Sequence, residues 1–538
     1  SALFSTLPNA DGYFAFYPHG RFVRYEGDVD VDNTFIYFTL PSEQKAVAGG
    51  FERGLFPSYA VADAAGGEMQ FTPVCGLVKF RLAGDAVADI ASVSFDVMGY
   101  SVSGMFGLNT TYGWLEESPS CKSRVTLTGP FEAETDYYMV VMPGWLSDFY
   151  FTFTRNDGSV YLREGGIEDG RIAVGGMADF GTMELSEGDF AVPAGDDITD
   201  LAFIKAVETA AGITLERNAA GYVPLTEANL EKMASVTALN IAEKGLTDLS
   251  ALKYFTGLKT LDCSRNLLTT LDVSALTNLT SLDCSLNWLT ALDVSALTKL
   301  ESLSCYENAL TELNVSGQTN LTSLDCSFNS LTTLDVSALT NLTSLDCYRN
   351  ELTKLDVSKL TGLTELDCAY NQLTALNVSK LTHLTNLDCA HNQLTALDVS
   401  NLTGLKDFDC SDNQLTELYL SNLTGLEELD CSENQLKALN VSNLTGLTKL
   451  DCADNQLTAL DLNGLTALEN LDCSENRMSS LDISEFLNLY RVKCGKQTAD
   501  GVTSRTLTLT LTAAQKAGGV FDASSKYNVD VNLNVVGQ

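Results

Sequence analysis

Leu321-Thr322-Ser323-Leu324-Asp325-Cys326-Ser327-Phe328-Asn329-Ser330-Leu331, continued by Thr332-Thr333-Leu334-Asp335-Val336-Ser337-Ala338-Leu339-Thr340-Asn341, is one copy of a unit that returns every 21 residues. Cysteines at 263, 284, 305, 326, 347, 368, 389, 410, 431, 452, 473 and 494 keep that interval without a slip. Apolar residues alternate through Leu324 and Cys326, which predicts a short strand with both side chains on one face. A copy offers seven inward candidates: Leu321, Leu324, Cys326, Leu331, Leu334, Val336 and Leu339. Burying each contributes roughly 1.5–3 kcal/mol, whereas ordering each backbone residue costs roughly 1–2 kcal/mol. One copy cannot fold alone. Stacked copies share apolar faces and backbone hydrogen bonds, so a row of them can.

Stacking turns each repeat position into a column. Asparagines recur at 266, 287, 308, 329, 350, 371, 392, 413, 434, 455 and 476, with Lys244 and Gln497 at the ends. A buried amide there satisfies backbone groups of adjacent turns, each of which would cost about 1–3 kcal/mol if left unpaired. The cysteines are read as buried free thiols acting as small hydrophobes. Stacked strands lie about 4.8 Å apart with parallel side chains, whereas a disulfide needs converging Cβ atoms and a zinc site needs converging ligands. Cys75 and Cys121 lie outside the column, and their pairing is left open. With so few residues per copy, the convex side is expected to hold tight turns or 3₁₀ pieces and little helix.

Aspartates precede most of the cysteines, at 262, 283, 325, 346, 367, 388, 409, 430, 451 and 472. Alternation points them outward on the concave face. Charges about 5 Å apart repel by roughly 0.8 kcal/mol even in water. The row should therefore relax through raised pKa values, bonds to neighbouring serines, or bound cations; a solvated polar face is the plainer reading. No calcium-loop pattern occurs.

The place after each cysteine is usually Ser or Ala and is expected to be exposed, but Tyr306 and Tyr348 occupy it in two copies. The next place carries Leu286, Phe328, Arg349, Tyr370 and His391, with Arg265 and Glu307 as polar exceptions, then Asp412, Glu433, Asp454 and Glu475. One stretch of the concave face is thus expected to be aromatic and the other acidic. Exposed aromatics on a rigid sheet typify contact surfaces, and drift on a tolerant surface is the alternative. The candidate ligand contacts are Tyr306, Phe328, Tyr348, Arg349, Tyr370 and His391. Trp288 either extends the patch or packs at its rim.

Outside the repeats the composition changes. All ten prolines lie at or before Pro224. Residues 1–190 read as short alternating strands, such as Phe149–Phe153 and Val160–Leu162 around Asn156-Asp157-Gly158, predicting an antiparallel β-sandwich. Residues 191–235 read as a linker and partly helical cap, with a linker candidate at Ser186–Gly195 and helical turns at Leu201–Glu208 and from Leu225. Residues 236–495 form the repeat array, and 496–538 read as strands closing its far end. The expected class is mainly β: a sandwich followed by a curved solenoid with a parallel concave sheet.

The repeated Leu-Asp-Cys-Ser-x-Asn-x-Leu-Thr-x-Leu-Asp-Val-Ser resembles the leucine-rich-repeat surface proteins of Bacteroidales, similar in outline to internalin-type solenoids. The first 190 residues resemble fimbrillin-type sandwiches in Tyr13–Pro18, Cys75–Phe80, Tyr138–Pro143 and Gly176–Phe180. That resemblance implies a lipid-anchored, outward-facing protein, in some relatives assembled by strand exchange. A solenoid stands where such pilins have a second sandwich, which argues against filament polymerisation. The preceding cap of relatives carries an acidic, Gly-containing loop; here it is Leu215–Tyr222, a poor calcium loop.

The formal net charge of −37 disfavours nucleic acid and bare anionic lipid as partners. No apolar run is long enough for a membrane-spanning helix. The chain begins at Ser1 without methionine, consistent with removal of a leader. Histidine occurs only at 19, 383 and 391, and nucleophile-elbow, metalloprotease and phosphate-loop motifs are absent. No enzymatic activity, cofactor or metal site is expected. The sequence points to an adhesin-like protein presenting the concave face to a protein or glycan on another cell or in the matrix. The rival is a surface scaffold associated with pilus subunits and lacking a dedicated ligand.

Overall fold

The computed structural model describes residues 3–6, 13–17, 24–26, 35–51, 58–62, 72–97, 102–109, 115–117, 121–146, 148–166, 170–191, 197–498, 504–522, 524–525 and 528–536. His19 lies outside them. The chain divides into two compact units, Ser1–Asp272 and Val273–Gln538. It is mainly β, with N-terminal antiparallel strands followed by a parallel solenoid, as the sequence leads one to expect.

In the first unit, strand Gly76–Ala83 alternates buried and half-buried residues. It pairs antiparallel with Thr135–Val141 and parallel with Met177–Glu184. A five-stranded sheet carries Ile90–Val97 and Phe149–Arg155 at its centre. Strand Glu43–Lys45 adds a second parallel pair at that sheet's edge. Both sheets are therefore antiparallel except for one edge pair each, a departure from the purely antiparallel sandwich. Val78, Phe80 and Leu82 of one sheet share a core with Val93, Phe95, Phe151 and Phe153 of the other. Phe80 meets Phe151 edge-on at 5.7 Å. A smaller core holds Cys75, Cys121 and Met142. Both cysteines are buried, and Cys75 Sγ lies 3.7 Å from Met142 Sδ.

Residues 186–191, read as linker, pack here: Val160 N donates to Ala191 O at 2.8 Å. Helix Leu201–Ala211 is capped by Asp200, which accepts from Phe203 N, and ends at Gly212 with φ +64°. Its buried residues Leu201, Ile204 and Val207 recur at helical spacing. Thr226 caps a second helix, Glu227–Ser235.

The second unit holds an unbroken parallel ladder from Ser281–Asp283 to Arg491–Lys493. Registration is one repeat per strand, so Leu324 faces Leu345, then Leu366 and Leu387. Leu321, Leu324, Cys326, Leu331, Leu334, Val336 and Leu339 are all buried. Tight turns such as Leu339 N to Val336 O replace convex helix. Asn329 shows what the asparagine column does. Its Nδ2 donates to Cys305 O, Cys326 O and Ser327 O, and its Oδ1 accepts from Leu310 N. Gln497 continues that role, with Nε2 donating to Cys473 O and Oε1 accepting from Met478 N. All column cysteines are buried. Desolvation raises the thiol pKa of Cys326, Cys347, Cys368 and Cys389 well above the usual value. Near the C-terminus, Leu507–Thr512 and Val531–Val536 pair parallel with each other, and the former with Ser480–Asp482. No helix among the described residues is long and apolar enough to cross a membrane.

Candidate ligand-binding face

Every turn ends its strand the same way. The residue before each asparagine has left-handed backbone: φ is +49° at Phe328, +52° at Arg349 and Tyr370, and +50° at His391. An L-residue held there costs roughly 1–2 kcal/mol relative to the right-handed region. The asparagine bonds and the stacked backbone hold it in place. Glycine would relieve the strain, yet four successive turns carry large side chains.

Those side chains form a row. The rings of Phe328 and Tyr348 lie 5.0 Å apart, and those of Tyr348 and Tyr370 5.2 Å apart. Tyr370 and His391 stack at 3.8 Å. The Arg349 guanidinium sits 5.3 Å from the Phe328 ring centre. His391 Nδ1 lies 2.6 Å from Asp412 Oδ2, so its carboxylate neighbour is one turn on rather than Asp388. Phe328 and Tyr370 are 39% and 44% exposed. Tyr306 is half-buried and has no ring contact with the row among the described residues. Trp288 is likewise half-buried.

One expectation is corrected. Where the place after the cysteine is small it is not exposed: Ser327, Ala369 and Ala390 are buried, and Ser411, Ser432 and Ala453 are half-buried. The left-handed turn that follows carries the next residue, not this one, to the outside.

Beside the row, the aspartates face outward and are half-buried. Each accepts the backbone N–H two residues on. Where that residue is serine, as at Asp325, Asp409, Asp430 and Asp472, the hydroxyl donates as well. Tyr348, Ala369, Ala390 and Ala453 offer only the amide. The four carboxyls without a hydroxyl are pushed up: Asp346 to about 6, Asp367 to about 7, Asp388 to about 6 and Asp451 to about 7. Burial is the main cause, and neighbouring aspartates add to it. Asp430 is also raised by burial, although the Ser432 hydroxyl pulls the other way.

Asp346, Asp367, Asp388 and Asp409 line a trough of about 450 Å³ with Glu365, Asp407, Glu428 and Lys449. The sequence reading missed the last four. They occupy the first strand position, where Ser302, Ser323 and Ser344 give way to Glu365, Asn386, Asp407, Glu428 and Lys449. That shift from serine to charged residues was the available signal. The acidic stretch Asp412, Glu433 and Asp454 is exposed, and Glu475 is paired with Lys496 at 2.6 Å. Among the described residues, no cluster of His, Cys, Asp or Glu converges as a metal site.

Residues 319–360 and 361–404 match the leucine-rich-repeat family model. No curated protein matches the chain. Among solved structures, the functional domain of InlJ from Listeria monocytogenes is 36% identical, at TM-score 0.50. The match covers 57% of this chain and 74% of that one. That domain is described as including a cysteine ladder, the feature formed here by the cysteine column. An internalin, InlF, from the same species is 25% identical over 55% of this chain and 96% of its own, at TM-score 0.44. A leucine-rich-repeat protein of Leptospira interrogans is 22% identical over 60% and 100%, at TM-score 0.43. Repeat pattern, ladder register and the InlJ match agree: the chain belongs to the leucine-rich-repeat proteins of internalin type.

Proposed function

We propose that this protein is an adhesin-like binding protein that captures a ligand on the sheet face of its solenoid, and that it is not an enzyme. The row Phe328, Tyr348, Arg349, Tyr370 and His391 carries the reading, with Tyr306 at its rim. Large exposed rings kept at left-handed positions, on a scaffold fixed by the asparagine column, suit recognition better than packing. The N-terminal sheets, with their fimbrillin-like motifs, would attach or space the solenoid. A lipid-anchored place on the outer surface of a Bacteroidales cell follows from that resemblance.

The test is an array of matrix proteins and glycans probed with the full chain and with Tyr348→Ala combined with Tyr370→Ala. The double variant should lose the captured ligand while its melting temperature stays nearly constant. Undiminished capture would remove this face as the site.

A further inference from the structure

We infer that the aromatic row and the acidic trough are one footprint, and that it takes a protein segment bearing lysine or arginine side chains rather than a glycan. This inference rests on the binding reading above and narrows it. A sugar packs flat against an open aromatic face. Here His391 stacks on one face of Tyr370, the Arg349 guanidinium lies over one face of Phe328, and Tyr348 packs tilted or edge-on against both rings, so no ring stands as an isolated flat platform. A guanidinium and an imidazole are already seated against its rings, so the row accommodates the side chains of a protein.

The trough supplies the charge. Seven carboxylates and a single ammonium line it. It borders the row directly, since the Tyr348 backbone N–H donates to Asp346 Oδ1 in the trough at 2.9 Å. Its acids stand in parallel files one strand apart, about 4.8 Å per step. Files of that kind match several cationic side chains spread along a segment, not one compact ion. Glu433 and Asp454, with no ion pair among the described residues, continue the acidic side past the end of the row.

The experiment uses fluorescence anisotropy at about pH 8 and about 150 mM salt, where non-specific attraction is screened beyond about 8 Å. The probe is a labelled dodecapeptide alternating lysine with serine around a central tyrosine. A glutamate version of it and neutral hexasaccharides are compared. The full chain should bind only the lysine probe. Asp367→Asn, Asp388→Asn and Asp409→Asn together should weaken that binding about tenfold or more. Asp335→Asn, Asp356→Asn and Asp398→Asn, the same charge change away from the trough, should leave it within about twofold. Should the first triple melt early, Glu365→Gln with Glu428→Gln replaces it. Equal weakening by both triples, no weakening by the trough variants, or preferential binding of the hexasaccharides would overturn the inference. The tyrosine double variant reports on the row separately. Lost array capture with unchanged probe binding would uphold the row and overturn the shared footprint; the reverse would sink the row alone.

Discussion

Two stretches of one sheet, around 346–391 and around 409–432, share the same backbone and the same aspartate column but not the same chemistry. In the later stretch, serine follows the cysteine and its hydroxyl completes the shell of Asp409 and Asp430. In the earlier one, tyrosine or alanine stands there and the carboxyl keeps a single amide donor. Burial moves three successive acids toward neutrality there with no hydroxyl to oppose it, whereas at Asp430 the Ser432 hydroxyl works against the same burial. The scaffold is thus written by what repeats, and the chemistry of the face by what departs from the repeat.

The comparison breaks first at the asparagine column, which both stretches need. Asn371→Ala strands Leu352 N and frees Cys347 O, Cys368 O and Ala369 O of their amide donor. It should cost about 2–4 kcal/mol in denaturant unfolding, far more than the loss of Tyr370 beside it. Equal costs would mean that the ring, not the amide, holds the turn.

The next effect follows from pH. Asp346, Asp367, Asp388 and Asp451 hold their protons to about 6–7 when folded, against about 3.9 unfolded. Between those values the folded chain binds more protons, so stability is greatest below about pH 4 with respect to these groups and declines as pH rises through about 7. Melting temperature at about pH 8 should lie several degrees below that at about pH 5. A flat or rising profile would contradict the assignment.

A smaller effect separates strain from contact. Tyr370→Gly should be more stable than Tyr370→Ala by up to about 1 kcal/mol, because glycine accepts φ near +52° without a Cβ clash. Both variants should lose ligand equally. A glycine variant less stable than the alanine one would show that the position is unstrained.

The 21-residue period made the solenoid, its register and its asparagine ladder legible, because stacking permits only one alignment of identical turns. The aromatic residues were legible as exceptions to that period. The trough was not, since a lone Glu365 or Asp407 on a strand reads as ordinary surface polarity until neighbouring turns bring the acids together. The left-handed column was hidden too: Phe328, Arg349 and Tyr370 are of types that rarely take positive φ, and the His and Asp members that take it more readily are scattered among them. In the N-terminal unit, strand alternation gave the class. It gave neither parallel edge pair, because partners such as Met177–Glu184 and Gly76–Ala83 lie far apart in the chain without a shared spacing.

Carboxyl titration of carbon-13-labelled aspartate reaches the difference between the two stretches at its source. Asp346, Asp367 and Asp388 should show midpoints of about 6, 7 and 6, and Ala369→Ser with Ala390→Ser should bring the last two down. Midpoints below about 4.5 in the unaltered chain, or no response to the added hydroxyls, would contradict the account.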